Sequence, residues 1–420
     1  MMRFQKITGI ALACILAFGL CACSTPDGGD LNDIKANGKK TVLLTEGFQA
    51  GTSSGKEIDE AFLKAYNEFA AGMFREAVKG GAKFLSPYSA YVALAMVMNS
   101  ADGETLAEMQ KTLGLSDDAL NAYLKVLADR YNSNESVMVT NSVWFNGDFR
   151  EMVRDEFLST VAGYYSAEVY SADFADGNTV KDMNAWVKRN TKDRIEEIIE
   201  RLDPMTVSVL FNCLTFDGKW SDPFEEEATK EADFHKEDGS VVKVSMMSGE
   251  AGSYFEGENY VGISKSYEGG YCFRAYLPKE GTSVYEVVES LNGERLINPG
   301  TYDGKAYLKM PKFKYESDKM ELVPVLQALG IRQAFDTRAN FNRLTKTPQP
   351  IMISDVYQKT FIETNEEGTK AAAVTVIEMR CYAAAPVQIN HEVVLDRPFV
   401  YAICDEYDGF PLFIGIYDGE

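Results

Sequence analysis

The stretch Val207 to Phe216 runs apolar across ten residues, and Gly218-Lys219-Trp220 then turns the chain. A strand without polar alternation must be covered on both faces. The fold therefore needs apolar layers on either side of a central sheet. The 420 residues are 45% hydrophobic and 12% aromatic, which is ample for one large core or two ordinary ones.

Helices and strands are interspersed around that run. Glu57 to Val78 places Ala61, Phe62, Ala65, Phe69, Met73, Phe74 and Ala77 at helical spacing, so a helix opens the domain. Residues Ala90 to Met98 read as a buried helix begun by Ser86 or Ser89, Thr105 to Leu113 as another, and Val180 to Glu200 as a long one. Val137 to Phe145 reads as a buried strand and Val241 to Arg274 as hairpin-like. After strand Ala306 to Phe313 come helix Met320 to Leu329, strand Ile353 to Thr364, and final strands Val393 to Cys404 and Pro411 to Tyr417, joined around Asp408-Gly409. No internal repeat or interdomain linker interrupts this order. The class is α+β, with a single domain over 57–420.

Residues 1–22 read as a targeting segment that is removed: Arg3 and Lys6 precede an apolar run, Ile7 to Leu20, too short to span a membrane comfortably. Leu20-Cys21-Ala22-Cys23 resembles the bacterial lipobox, and that likeness makes Cys23 the mature N-terminus carrying diacylglycerol. Residues 23–56 then form a polar, turn-rich tether. The expected location is outside the inner membrane, anchored by lipid to the bacterial cell envelope.

The formal charge is −21, and loss of Arg3 and Lys6 makes it −21 − 2 = −23, which excludes nucleic acid as a partner. Beyond the anchor the cysteines are Cys213, Cys272, Cys381 and Cys404, with no CxxC pair or metal spacing; three lie in apolar runs as core fillers. His235 and His391, the two histidines, lie in polar stretches, and no Gly-x-Ser-x-Gly or HExxH motif occurs. Neither a metal, a cofactor nor a histidine-based catalytic site is expected.

The segment Gly368 to Ile377 is small at first and β-branched later, and no proline interrupts it before Pro386. Gly368 lacks Cβ and so offers a hinge. If extended, Thr369, Ala371 and Ala373 share one face while Lys370 and Ala372 share the other. Such a stretch can enter a sheet centre, whereas Pro386 would end the entry. Its composition also suits an alanine-rich helical turn over Glu366 to Ala373.

Asn365-Glu366-Glu367-Gly368-Thr369-Lys370-Ala371-Ala372-Ala373 resembles the hinge of inhibitory serpins, departing from it at Lys370. Other matches follow in order. Phe84-Leu85-Ser86-Pro87-x-Ser89 and Ala101-Asp102-Gly103-Glu104-Thr105 resemble the shutter helix and its exit. Thr140-Asn141-Ser142-Val143-Trp144-Phe145 is similar to a strand of the large sheet. Phe211-Asn212 with Phe216-x-Gly218-Lys219-Trp220-x-x-Pro223-Phe224 is similar to the next strand and the breach. Met310-Pro311-Lys312-Phe313, Leu326-x-x-Leu329-Gly330-Ile331-x-x-Ala334-Phe335, Arg397-Pro398-Phe399 and Leu412-Phe413-Ile414-Gly415 extend the likeness over Glu57 to Tyr417. Where many animal serpins have a shutter histidine, this chain has Gln358, whose amide can bond to Ser86 or Asn212.

The resemblance implies the serpin fold, with a large central mixed sheet, further sheets, about nine helices and an exposed reactive-centre loop near 366–390. It implies a suicide inhibitor of serine proteases and no enzyme. Counting from Gly368 puts the bait bond at Tyr382-Ala383, with Arg380-Cys381 as rival. Tyr382 favours chymotrypsin-like, cathepsin G-like or subtilisin-like targets, with elastases also considered; Arg380 favours trypsin-like ones. The acyl-enzyme is then trapped when the hinge loop inserts. Exposed Cys381 offers oxidative tuning. A monomer is expected, contacting membrane only through its lipid. The alternatives are a non-inhibitory serpin cut as a substrate, a periplasmic serine hydrolase, and a glycan-binding surface lipoprotein.

Overall fold

The computed structural model describes residues 10–20, 41–45, 56–134, 136–203, 205–369 and 389–419. The N-terminal part gives strands β1 (Ile10–Leu20) and β2 (Val42–Leu43), helix α1 (Glu60–Lys79), strand β3 (Phe84–Leu85), and helices α2 (Pro87–Met98), α3 (Gly103–Leu113) and α4 (Asp117–Asn132). Strand β4 (Val137–Asn146), helix α5 (Asp155–Tyr165), strand β5 (Glu168–Ala172), helix α6 (Gly177–Asn190), and strands β6 (Thr206–Phe216) and β7 (Gly218–Lys219) follow. The middle is strand-rich, with β8 (Lys230–His235), β9 (Val241–Glu256), β10 (Tyr260–Tyr267) and β11 (Tyr271–Pro278), then helices α7 (Val284–Ser290) and α8 (Gly293–Ile297). The remainder is β12 (Thr301–Pro311), β13 (Phe313–Glu316), β14 (Met320–Glu321), α9 (Val323–Leu329), β15 (Ile351–Thr364), β16 (Gly368–Thr369), β17 (Ile389–Val394), β18 (Phe399–Asp405) and β19 (Pro411–Tyr417).

Two sheets organise the molecule. The central one has the order β13-β15-β1-β6-β4-β5-β2, with β14 also on β15. It is mixed, because β4 and β5 run parallel while the other pairs run antiparallel. The second sheet has the order β17-β12-β9-β10-β11-β18-β19-β3 with β8 on β9, and β16-β7 forms a small third.

The apolar character of β6 is explained by its two faces. Leu210, Leu214 and Phe216 enter the main core beneath α2, whereas Val209, Phe211 and Cys213 meet Trp186, Met183 and Ile195 on the other side. Helix α2 is buried along its whole length, which is why its sequence lacks a polar stripe; Ser86 caps it by accepting the Ser89 N–H.

Several boundaries differ from those expected. Helix α6 stops at Asn190, ten residues before Glu200, because Lys192 and Asp193 take left-handed backbone angles. There the Thr191 hydroxyl donates to Val187 O at 2.9 Å and accepts the Ile195 N–H at 3.2 Å, closing the helix end. Met320–Glu321 pairs with β15 rather than joining α9. The expected strand Val393 to Cys404 is two, since β17 lies parallel beside β12 and β18 lies between β11 and β19.

In the full chain Ile10–Leu20 is a strand inside the central sheet, antiparallel to both β15 and β6. Val42–Leu43, placed in the tether, pairs with β5 and forms the edge of the central sheet. Among the described residues no helix is long and apolar enough to cross a membrane.

Candidate functional site

Because β6 and β15 are each antiparallel to β1, they run parallel to one another. Two polar clusters connect this strand pair to the rest of the molecule, one beneath its middle and one at the end where β15 stops.

The middle cluster is a chain of buried amides and hydroxyls. Gln358 Nε2 donates to Ser86 O at 3.0 Å, and its Oε1 accepts the Ser86 N–H at 3.1 Å. Ser86 Oγ donates to Leu412 O at 2.7 Å. Ser89 Oγ donates to Asn212 Oδ1, Asn212 Nδ2 to Asn141 Oδ1 at 2.7 Å, and Asn141 Nδ2 to Tyr165 O at 2.8 Å. Ser86, Ser89, Asn212 and Gln358 are fully buried. Pro87 takes the first turn of α2, where its missing N–H is harmless. The gap between the amides is bridged at Cys14 of β1, which sits in register with Gln358 on one side and Asn212 on the other.

The end cluster holds the segment expected as the hinge. Asn365 to Gly368 form a reversing turn, in which Asn365 N donates to Gly368 O at 3.0 Å and Asn365 Oδ1 accepts the N–H groups of Glu367 and Gly368. Gly368 adopts φ +144°, and a Cβ there would stand 2.2 Å from Gly218 O, so no other residue fits. The turn lets β16 pair antiparallel with β7. Trp220 holds it: its backbone N donates to Glu367 O at 3.0 Å and its indole Nε1 to Asn365 O at 2.9 Å. Its ring stacks on Tyr267 with centroids 4.1 Å apart, and Tyr267 Oη is 2.9 Å from Thr369 Oγ1.

Charges close this end. Glu366 accepts from Lys312 Nζ at 2.8 Å and from Thr229 Oγ1 at 2.9 Å. Burial pushes its carboxyl up, but the Lys312 hydrogen bond and further donors outweigh burial and leave it below its usual range. Lys265 lies beneath the Trp220 and Phe224 rings, 5.6 and 4.5 Å from their centroids, and donates to Glu250 O at 3.0 Å. Burial lowers its ammonium to about 8, against the pull of Asp222 and Glu250.

Gln358 thus bonds to Ser86 and not to Asn212, and Trp220 meets the hinge at Asn365 and Glu367. Lys265, Lys312 and Asn141 had not been assigned parts in the site. The Ile263-x-Lys265-x-Tyr267 alternation carried a signal for Lys265, since it sets a lysine among inward positions. Ala371, Ala372, Ala373, Arg380, Cys381, Tyr382, Ala383 and Cys23 lie outside the described residues. Among the described residues no cluster of histidine, cysteine and carboxylate groups is arranged for a metal. His391 stacks on Tyr254 and contacts Asp303 at 3.1 Å, with no serine among those contacts.

A family model described as Serpin (serine protease inhibitor) matches residues 64–418. The chain is a serpin. Iripin-2 of Ixodes ricinus is 32% identical over 85% of this chain and 93% of its own length. Antitrypsin of Bombyx mori is 30% identical, over 84% and 93%. The crystal structure of the thermophilic serpin tengpin in its native state superposes with TM-score 0.80 at 34% identity, covering 91% of this chain and all of that one. Tengpin in its latent state gives 0.74 at 33% identity, covering 86% and 98%. Serpins generally inhibit serine proteases and are not themselves enzymes, although some do not inhibit.

Proposed function

We propose that this serpin is a suicide inhibitor whose loop is attacked at Tyr382-Ala383 and whose hinge then inserts between β6 and β15. The observation carrying this reading is the position of β1. An eleven-residue strand fits there, antiparallel to both neighbours. Its first residues lie beside Phe361 and Phe216, at the end where the turn after β15 sends Gly368 and Thr369 back. A strand continuing from Thr369 would enter from the same end and in the same direction.

The protease supplies the nucleophilic serine, which attacks the Tyr382 carbonyl and forms an ester while the Ala383 amine leaves. Insertion of residues from Thr369 toward Arg380 then carries the tethered enzyme across the sheet before water reaches the ester. A tyrosine beside the bond suits the hydrophobic pocket of chymotrypsin-like, cathepsin G-like and subtilisin-like enzymes. In this proposal the chain is exported and loses residues 1–22. It is then held by lipid on Cys23 at a bacterial cell envelope.

A second reading, cleavage without trapping, is favoured for the chain that keeps residues 10–20, because β1 already fills the position the loop needs. The test incubates chymotrypsin, subtilisin, elastase and trypsin with the full chain and with a chain beginning at Ser24, followed by denaturing gels and intact mass. A covalent complex from the shorter chain, releasing a peptide that begins at Ala383, supports inhibition at Tyr382. A peptide beginning at Cys381 moves the bond to Arg380. Clean cleavage of the shorter chain without complex overturns inhibition of those enzymes.

A further inference from the structure

Cys272 of β11 and Cys404 of β18 are directly opposite one another in an antiparallel ladder. Both are buried free thiols. Opposed residues in such a ladder have Cα atoms about 4.5 or 5.5 Å apart, depending on the pair type. Either separation lies within the roughly 4.4–6.8 Å that a disulfide requires. Side chains directly opposite also leave the sheet on the same face. The two sulfurs are therefore juxtaposed by the sheet itself, at a Cα separation that a disulfide accepts.

A second observation points to the same place. Arg274, two residues along β11, projects from the same face as Cys272 and is nearly buried. Its Nη1 donates to Leu296 O at 2.7 Å and Gly409 O at 3.0 Å, but its Nε, also buried, has no hydrogen-bond partner among the described residues. Among the described residues no carboxylate pairs with this guanidinium, and the two sulfurs contribute to its electrostatic surroundings. A buried cation without a carboxylate favours an anion nearby. The Cys404 hydrogen bond and, less strongly, Arg274 favour the ionised form of the Cys272 thiol against burial, whereas burial pushes Cys404 up. Arg274 on the same strand stays beside Cys272 and favours the thiolate, the form that attacks a disulfide.

We propose that Cys272 and Cys404 form a redox-active pair that closes to a disulfide between β11 and β18 when a low-molecular-weight disulfide is the oxidant. Cys272 thiolate attacks one sulfur of the reagent, forming a mixed disulfide and expelling one thiolate. Cys404 then loses its proton and attacks the Cys272 sulfur, expelling the second. Two protein thiols are oxidised by two electrons and one reagent disulfide is reduced to two thiols. Burial directs the exchange to local opening of the β18-β19 hairpin or to folding itself. The bond closes a loop of 404 − 272 = 132 residues, tying the C-terminal hairpin to the strand beside β10.

The experiment folds the full chain in excess oxidised glutathione or, separately, in dithiothreitol. Free thiols are alkylated in guanidinium and peptides are mapped without reduction. The expected result is a peptide linking Cys272 to Cys404 in the oxidised sample alone, with Cys213 alkylated in both. In a Cys404→Ser chain the resolving step is missing, so Cys272 is expected to carry glutathione. Full alkylation of both cysteines in the oxidised wild-type chain overturns the proposal whether or not the variant folds. Linkage of either one to a different cysteine as the main product overturns it equally.

Discussion

The shutter and the breach serve the same two strands, β6 and β15, and are built from opposite materials. The shutter is neutral: serine hydroxyls and carboxamides, fully buried, each donating or accepting within a closed chain from Gln358 to Leu412 and from Ser89 to Tyr165. The breach is charged and layered under aromatic rings, with Lys265, Lys312 and Glu366 around Trp220. Neutral hydrogen bonds can be exchanged between partners without stranding a charge, which suits the part of the sheet where the proposed insertion would take place. Ion pairs resist being parted away from water, which suits the end where the hinge is held.

The most severe challenge to this contrast is to empty the space between the strands. A chain beginning at Ser24 lacks β1 and therefore both of its ladders, leaving Asn212 and Gln358 separated by nothing. Its melting midpoint should fall by on the order of 10 °C or more relative to the full chain. After chymotrypsin cuts the loop, the midpoint should recover as the loop takes the vacancy. Equal midpoints for the two uncut chains would show that the sheet does not depend on a strand there.

Next in size is Asn212→Ala. It removes the carboxamide between Ser89 and Asn141 and leaves buried groups on both sides without partners. The cost should be about 3 kcal/mol in denaturant unfolding, without a change in its pH dependence between 6 and 9. A loss below ~1 kcal/mol would mean that the network reorganises around the gap.

Lys265→Met probes the breach through pH. The folded state holds the Lys265 ammonium near 8, below its ordinary value of 10.5. Between those two values the unfolded chain binds the extra proton, so this residue makes stability rise with pH through that window. The difference between wild type and variant should grow in favour of wild type by about 2 kcal/mol from pH 8 to 10.5. Parallel curves would place the amine in contact with water.

How much of this was legible in the sequence follows the same division. The breach motif was legible through its resemblance to serpins, and the structure gives the physical reason for its glycine: at Gly218 a Cβ would lie 2.4 Å from Phe216 Cζ and 2.8 Å from Tyr267 Cδ1. The shutter serines, Asn212 and Gln358 were legible only through the resemblance to serpin motifs, for within the run Val207 to Phe216 the polar Asn212 gives no signal of its own. Long-range charge partners were not legible. Glu366 meets Lys312 only because β15 and the chain after β12 converge, 54 residues apart in sequence. The placement of Ile10–Leu20 was also hidden, for an apolar run of that length serves a leader and a buried strand equally well. Helix α6 was overextended because its apolar period continues to Ile195 and Ile198 after the backbone has turned.

The smallest effect is expected at the hinge itself, with Glu366→Gln. In the folded chain the Glu366 carboxyl titrates below its ordinary value of 4.5, because Lys312 and the other donors outweigh burial. Its contribution is therefore fully present above that ordinary value and is lost as pH falls through the lower, folded one. Near neutral pH the variant should be less stable by about 1 kcal/mol, and the gap should close in the acid range below ~4.5. The amide can still accept from Thr229 Oγ1, so the turn and the Trp220 contacts should persist, seen as unchanged tryptophan fluorescence. A gap that stays constant down to the folded-state titration would assign the loss to altered packing. The ion pair would then have no part in holding the breach.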